Sequence, residues 1–323
     1  MPAPTDLEVA HAADVLRAGG LVAFPTETVY GLGADASSPA ALRHLYAVKG
    51  RPAEHPVIVH LADPGALGDW ASAVPPAARR LADACWPGPL TVVVPRASHV
   101  PAEATGGLAT VGLRVPDQPV ALALLRAFGS GVAAPSANRF GRVSPTSADD
   151  VRADLGDDVD VVLDDGPCRV GVESTIVDCS SGSPAILRVG GVPREQIEAI
   201  LGCAVAVHGD GRVRAPGTLA SHYAPRARVE VVDAAGLGRC AHAAVERGAS
   251  VGVLAPSDPT GLPEGVVVLG VAPRADDYAR SLYRWLRAAD ARGIDLVLAV
   301  PPPDDGVGAA VVDRLRRAAG GGA

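Results

Sequence analysis

A chain of 323 residues, 48% hydrophobic and 20% charged, is long enough to bury the cores of about two domains. Its net charge of −7 argues against a broad nucleic-acid-binding face, and no apolar run approaches the roughly 18 residues of a membrane span. Five cysteines, odd in number and without a CxxC pair, fit neither a disulfide framework nor a structural zinc site.

Reduced thiols and an N-terminus with early acids and no apolar h-region read as a soluble cytoplasmic protein, with no membrane partner. Aromatic residues make up only 3%, so Val, Leu, Ala and Ile must fill the core. The first segment reads as a helix ending at Gly19-Gly20, and LVAF (21–24) as a buried strand feeding a loop. Residues 38–48 predict a helix with Ser38 as N-cap and Pro39 in its first turn. Strands are expected at 57–61, 90–94, 110–115, 131–135, 159–164, 174–178 and 185–189, and helices near 76–84, 118–128, 147–155 and 193–200. Several strands follow one another directly, which favours an α/β fold with a mixed sheet. Residues 208–227 are rich in Gly, Pro and polar residues and read as a linker. Beyond it, strands at 228–232, 250–254, 266–270 and 294–299 alternate with helices at 236–247, 275–292 and 307–318, the pattern of a small parallel sheet.

Five polar stretches interrupt these elements. PTETVYGLGADA (25–36) gathers Thr26, Glu27, Thr28 and Tyr30 before two glycines; it reads equally as a ligand-approached pocket wall or as a turn with capping threonines. KGRP (49–52) carries Lys49, the sole lysine of the chain, two residues before Arg51, with His55 and His60 following. Pro52 biases Arg51 toward extended backbone, so both cations can converge on a phosphate; the competing reading is a solvated basic turn at a helix end. Arg114 sits inside an apolar strand, and must either face water on an edge or anchor an anion. APSANRFGRVSPTS (134–147) offers Ser136, Asn138, Ser144 and Thr146, with Ser147 placed to cap the next helix. GVESTIVD (171–178) puts Glu173, Ser174 and Thr175 at a strand start, and Arg188 ends the next strand. The chain lacks GxxxxGK[ST], GxGxxG, HExxH and GxSxG, and Cys85 has no evident base. Several cations and hydroxyls without a nucleophile argue for catalysis by positioning, as in phosphoryl and nucleotidyl transfer.

In this order, PTETVYGLG, KGRP, PVIVH, WPGPLT, GLRVP, APSAN, SPT, GVESTIVD and ILRVGG resemble the threonylcarbamoyl-AMP synthases, over roughly residues 20–192. The linker APGTLASHYAP and the closing GVGAAVVDRLRRAA resemble the two-domain form of that family. The resemblance implies a YrdC-like catalytic domain (1–203), built as a twisted mixed open sheet with a concave cavity, a linker (204–227) covering the active site, and a small Rossmann-like domain (228–323). It implies condensation of L-threonine, bicarbonate and ATP to L-threonylcarbamoyladenylate and pyrophosphate. A separate threonylcarbamoyl-transferase complex would then modify tRNA beside the anticodon, with at most a weak tRNA contact here. Carried over by motif, Thr28, His60, Arg114 and Ala134 would bind threonine. Lys49 and Arg51 would be catalytic at the phosphates, and His55, Thr110, Ser136, Ser144, Arg188, Tyr223 and Arg226 would join them around ATP. Mg²⁺ would enter with ATP, with no metal site built from protein alone. This chain has His55 where the family most often has Asn, APGT where SPGM is common, and Arg226 where a shorter polar residue is usual. The alternative from another class is a double-stranded RNA or tRNA-binding module without catalysis.

Overall fold

The computed structural model describes residues 3–207 and 223–320. They fall into two compact units. The first contains most of the chain up to residue 207; the second joins Gly141–Val143 and Val170–Val172 to the C-terminal part. The expected linker lies, over 208–222, outside the described residues.

The first unit runs α1 (Asp6–Arg17), β1 (Val22–Phe24), β2 (Gly31–Asp35), α2 (Pro39–Lys49), β3 (Ile58–His60), α3 (Leu67–Trp70), α4 (Pro76–Cys85), β4 (Leu90–Pro95), α5 (Ala102–Thr105), β5 (Thr110–Arg114), α6 (Pro119–Phe128), β6 (Val132–Ala133), α7 (Ala148–Leu155), β7 (Val161–Val162), β8 (Thr175–Asp178), β9 (Ala185–Arg188), α8 (Arg194–Leu201) and β10 (Ala206–Val207). Its strands make one open sheet in the order β10-β9-β8-β4-β5-β3-β6-β2-β1-β7. Parallel pairs (β1–β7, β3–β5, β4–β8, β9–β10) mix with antiparallel ones, as the directly successive strands require. Helices α1 and α6 share an apolar cluster with Phe24, Val132 and Leu163, while Leu42, Leu45, Leu81 and Ile197 from α2, α4 and α8 pack into a second one. Valine, leucine and alanine dominate both clusters, as the scarcity of aromatics demands.

Local chemistry sets the helix starts. Ser38 accepts from Ala41 N with Pro39 next in line, and Ser147 forms a capping box with Asp150 at the start of α7. The structure corrects one stretch: residues 31–35 read as loop but form β2, an interior strand of the sheet. Its glycines concealed it. A Cβ on Gly33 would stand 2.8 Å from Val132 Cγ1 and 2.9 Å from the Phe24 ring, so the glycine serves close strand packing, not the approach of a ligand.

The second unit contains β11 (Arg228–Val231), α9 (Leu237–Glu246), β12 (Val251–Ala255), β13 (Val267–Val271), α10 (Ala275–Ala291), β14 (Leu296–Ala299) and α11 (Gly308–Ala318). The strands pair in the order β11-β14-β12-β13, all parallel, as their alternation with helices predicts. Within this unit Ala224 N donates to Gly141 O (3.1 Å) and Arg287 Nη2 to Val143 O (2.5 Å). Among the described residues no helix is long and apolar enough to cross a membrane.

Candidate active site

Strand β5 lies between β4 and β3, so Arg114 does not face water on an edge. The parallel register sets His60 of β3 directly opposite it, and directly paired residues share a sheet face. The β1–β2 connection brings Glu27 to the same place: Arg114 Nη2 stands 2.7 Å from Glu27 Oε2, with the two side chains 4% and 2% exposed. The anion in front of Arg114 is thus the protein's own. Although charge-paired at this distance, neither Arg114 Nη2 nor either Glu27 oxygen has a hydrogen-bond partner among the described residues. Arg114 Nε donates to Gly88 O at 3.3 Å.

His60 adds a third unspent group. It is buried, its Nδ1 has no hydrogen-bond partner among the described residues, and its ring meets Phe24 edge-on at 6.1 Å. Burial, reinforced by the Arg114 charge, pushes its pKa down to about 3, so the imidazole is neutral. Buried polar atoms without partners are few in folded proteins, and three residues of them together point to a ligand. Thr28 follows Glu27 in the chain; its hydroxyl lies 2.8 Å from that of Thr26, which donates to Val29 O. Ala134 is tied to the same strand by Ala134 N donating to Ile58 O.

Lys49 occupies a different setting. It closes α2, and Gly50 takes the left-handed conformation (φ 61°) that turns the chain out of the helix. Lys49 is 2% exposed, and its ammonium donates to the carbonyl oxygens of Ser136 (2.5 Å) and Asn138. Burial drives its pKa well below the ordinary lysine range, and Arg51 pushes the same way. Arg51 is also buried; its Nη2 donates to Pro56 O (2.8 Å), and it lies 5.7 Å from the Phe140 ring, whose edge meets His55 at 5.6 Å. The solvated basic turn is therefore excluded: both cations are interior.

Around these groups, Ser144 Oγ donates to Glu173 Oε1 (2.7 Å), both buried. Arg188 donates to Ser174 O through Nε (3.1 Å) and Nη2 (2.9 Å), and to Ser174 Oγ (3.1 Å). Ser136 and Thr110 are half-buried, and Ser136 bridges to Gly31. Tyr223 and Arg226 belong to the second unit. Tyr223, at φ 63°, is buried with its ring stacked on Tyr283 (5.7 Å) and Arg314 5.1 Å over it. Arg226 is exposed, its backbone N–H donating to Asp290 Oδ1 (2.7 Å).

The structure thus joins Lys49 to Ser136, Arg51 to His55 and His60 to Arg114, with Glu27 against Arg114. Sequence reasoning placed Glu27 in the pocket wall without giving it a role, and left Asn138 and Glu173 unassigned. The signal for Glu27 was present: an acid between two threonines, immediately after a buried strand.

Two family models match the chain: one described as telomere recombination over residues 14–190, and the threonylcarbamoyl-AMP synthase C-terminal domain over 192–320. The threonylcarbamoyl-AMP synthase of Bacillus subtilis (strain 168) is 40% identical, across 98% of this chain and 94% of its own length. That of Pyrococcus abyssi is also 40% identical, across 96% and 93%. A crystal structure of P. abyssi Sua5 complexed with L-threonine superposes with a TM-score of 0.93 at 38% identity, covering 99% of this chain and 96% of that one.

Proposed function

The chain belongs to the threonylcarbamoyl-AMP synthase family, a family of nucleotidyltransferase-type enzymes, and on that premise we propose that it condenses L-threonine, bicarbonate and ATP to L-threonylcarbamoyladenylate and pyrophosphate. The observation that carries this reading is the buried, hydrogen-bond-deficient cluster of Glu27, His60 and Arg114 in a chain whose relative was solved with L-threonine. Arg114 holds the threonine carboxylate, His60 and Thr28 orient the rest of the molecule, and Ala134 closes the pocket. Threonine's amine attacks bicarbonate, with loss of one water, to give N-carboxythreonine. The carbamate oxygen then attacks the α-phosphorus of ATP, and pyrophosphate leaves.

Lys49 and Arg51 stabilise the phosphates as charge builds on them. An ammonium has three N–H donors, and carbonyls hold two of those of Lys49, which aims the third. His55, Thr110, Ser136, Ser144 and Arg188 serve ATP from the surrounding loops of the first unit. Mg²⁺ entering with ATP would add to the neutralisation of charge on the phosphates. The product then serves a separate threonylcarbamoyl-transferase complex acting on tRNA beside the anticodon. The RNA-binding alternative needs cations on an open face, whereas Lys49, Arg51 and Arg114 are 2%, 8% and 4% exposed.

Incubation with ATP, L-threonine and bicarbonate should release pyrophosphate and yield a threonylcarbamoyl adduct of AMP. Omitting threonine should abolish both. Equal pyrophosphate release without threonine would refute the assignment.

A further inference from the structure

Glu27 holds no role in the reaction as described, yet its carboxylate calls for a ligand. It is 2% exposed, and neither oxygen accepts a hydrogen bond from the described residues. Its ionic neighbour, Arg114 Nη2 at 2.7 Å, makes none either. An arginine–carboxylate pair that satisfied itself would form parallel N–H···O bonds. Here the charges are matched while donors and acceptors stay unspent. Cys168 offers no competing charge, because burial, reinforced by Glu27, pushes its thiol far above the range in which it ionises.

An amino-acid zwitterion carries the complementary set. Its carboxylate supplies acceptors for Arg114, and its ammonium supplies donors for Glu27. Inserting it adds one negative and one positive charge to a site that already holds one of each, so the buried sum stays at zero and neither protein charge is stranded in low dielectric. A 2-hydroxy acid of the same shape would also reach Arg114 with its carboxylate. It would leave Glu27 as an uncompensated buried anion.

We infer that Glu27 is the counter-ion of threonine's ammonium and the acceptor of the proton that the amine must lose before it can attack. This rests on the site being the threonine site proposed above. In the step, one N–H bond of the ammonium breaks, the proton moves to a Glu27 oxygen, and the electron pair stays on nitrogen. The neutral amine and bicarbonate then give N-carboxythreonine and one water, and Glu27 returns its proton to solvent between turnovers.

The test compares the affinity of the full chain for L-threonine and for 2,3-dihydroxybutanoate of the same configuration, in the wild type and in Glu27→Gln. ATP affinity serves as the control for folding. The wild type should prefer threonine by about 100-fold, the cost of stranding one buried charge. In Glu27→Gln that ratio should fall at least about tenfold, mainly through weaker threonine binding, and turnover at saturating threonine should drop by a similar factor or more. An unchanged ratio overturns the inference, as does equal weakening of both ligands, which would mean that Glu27 acts only by orienting Arg114. If Glu27→Gln fails to bind ATP, Glu27→Asp decides: an intermediate ratio supports the inference and a wild-type ratio overturns it. Failure of the wild type to bind threonine at all would instead refute the threonine reading beneath it.

Discussion

Two buried cations in the first unit are held in opposite ways. Arg114 faces a carboxylate, so its charge is cancelled before any ligand arrives. Lys49 faces the carbonyls of Ser136 and Asn138, which orient its ammonium with dipoles but cancel no formal charge. The first arrangement suits a ligand of zero net charge, and the second suits an anion. A zwitterionic amino acid and a polyphosphate are such a pair. The same chain can therefore sort its substrates by how each cation is compensated, not by cation type alone.

The largest effect should come from unbalancing the first arrangement. Arg114→Met leaves Glu27 buried without its counter-charge, and should lower the unfolding free energy by about 3–5 kcal/mol. The double variant Glu27→Met/Arg114→Met should recover most of that loss; urea midpoints for both will show it. If the double variant is no more stable than the single, charge balance is not what holds this region. In the second arrangement, Lys49→Arg retains the charge but puts a wide planar fork where a compact ammonium fits between two carbonyls. Pyrophosphate release should fall by about 10²–10³-fold. Near-normal turnover would make the sole lysine a compositional accident.

A smaller effect should appear with pH. His60 has an ordinary pKa of 6.5 when unfolded and about 3 when folded, so between these values the unfolded chain binds a proton that the folded chain refuses. Stability from this group is present above pH 6.5 and is lost as pH falls toward 3, with a slope of up to about 1.4 kcal/mol per pH unit. His60→Leu should flatten the change in urea midpoint between neutral and mildly acidic pH; an identical slope would mean that His60 is not the group refusing the proton. The smallest effect concerns the helix that ends at Lys49. Ser38→Ala removes its N-cap and should cost about 1 kcal/mol, read by thermal melting, while leaving the KM for threonine unchanged.

Much of the fold was readable locally, and the failures have specific causes. The start of α2 was legible because Ser38 and Pro39 act within one turn, and the four parallel strands of the second unit because each carries a regular apolar run. Strand β2 escaped because its two glycines erase the alternation that marks a strand; they are there to let Phe24 and Val132 approach. Within the site, Arg114 was conspicuous as a charge in an apolar strand, and Lys49 as the sole lysine. Glu27 resembled an ordinary loop acid until its neighbours were known.

Turn chemistry, capping side chains and hydrophobic periodicity act over a few residues, so the elements and the family motifs follow from the order of amino acids alone. Compensation of charge does not. Glu27 meets Arg114 only because the β1–β2 connection returns over the β3–β5 register, and Lys49 meets its two carbonyls only because the loop after β6 folds back on the end of α2. Whether a buried cation is neutralised or merely oriented depends on groups distant in the chain, and sheet register and loop return decide which groups those are.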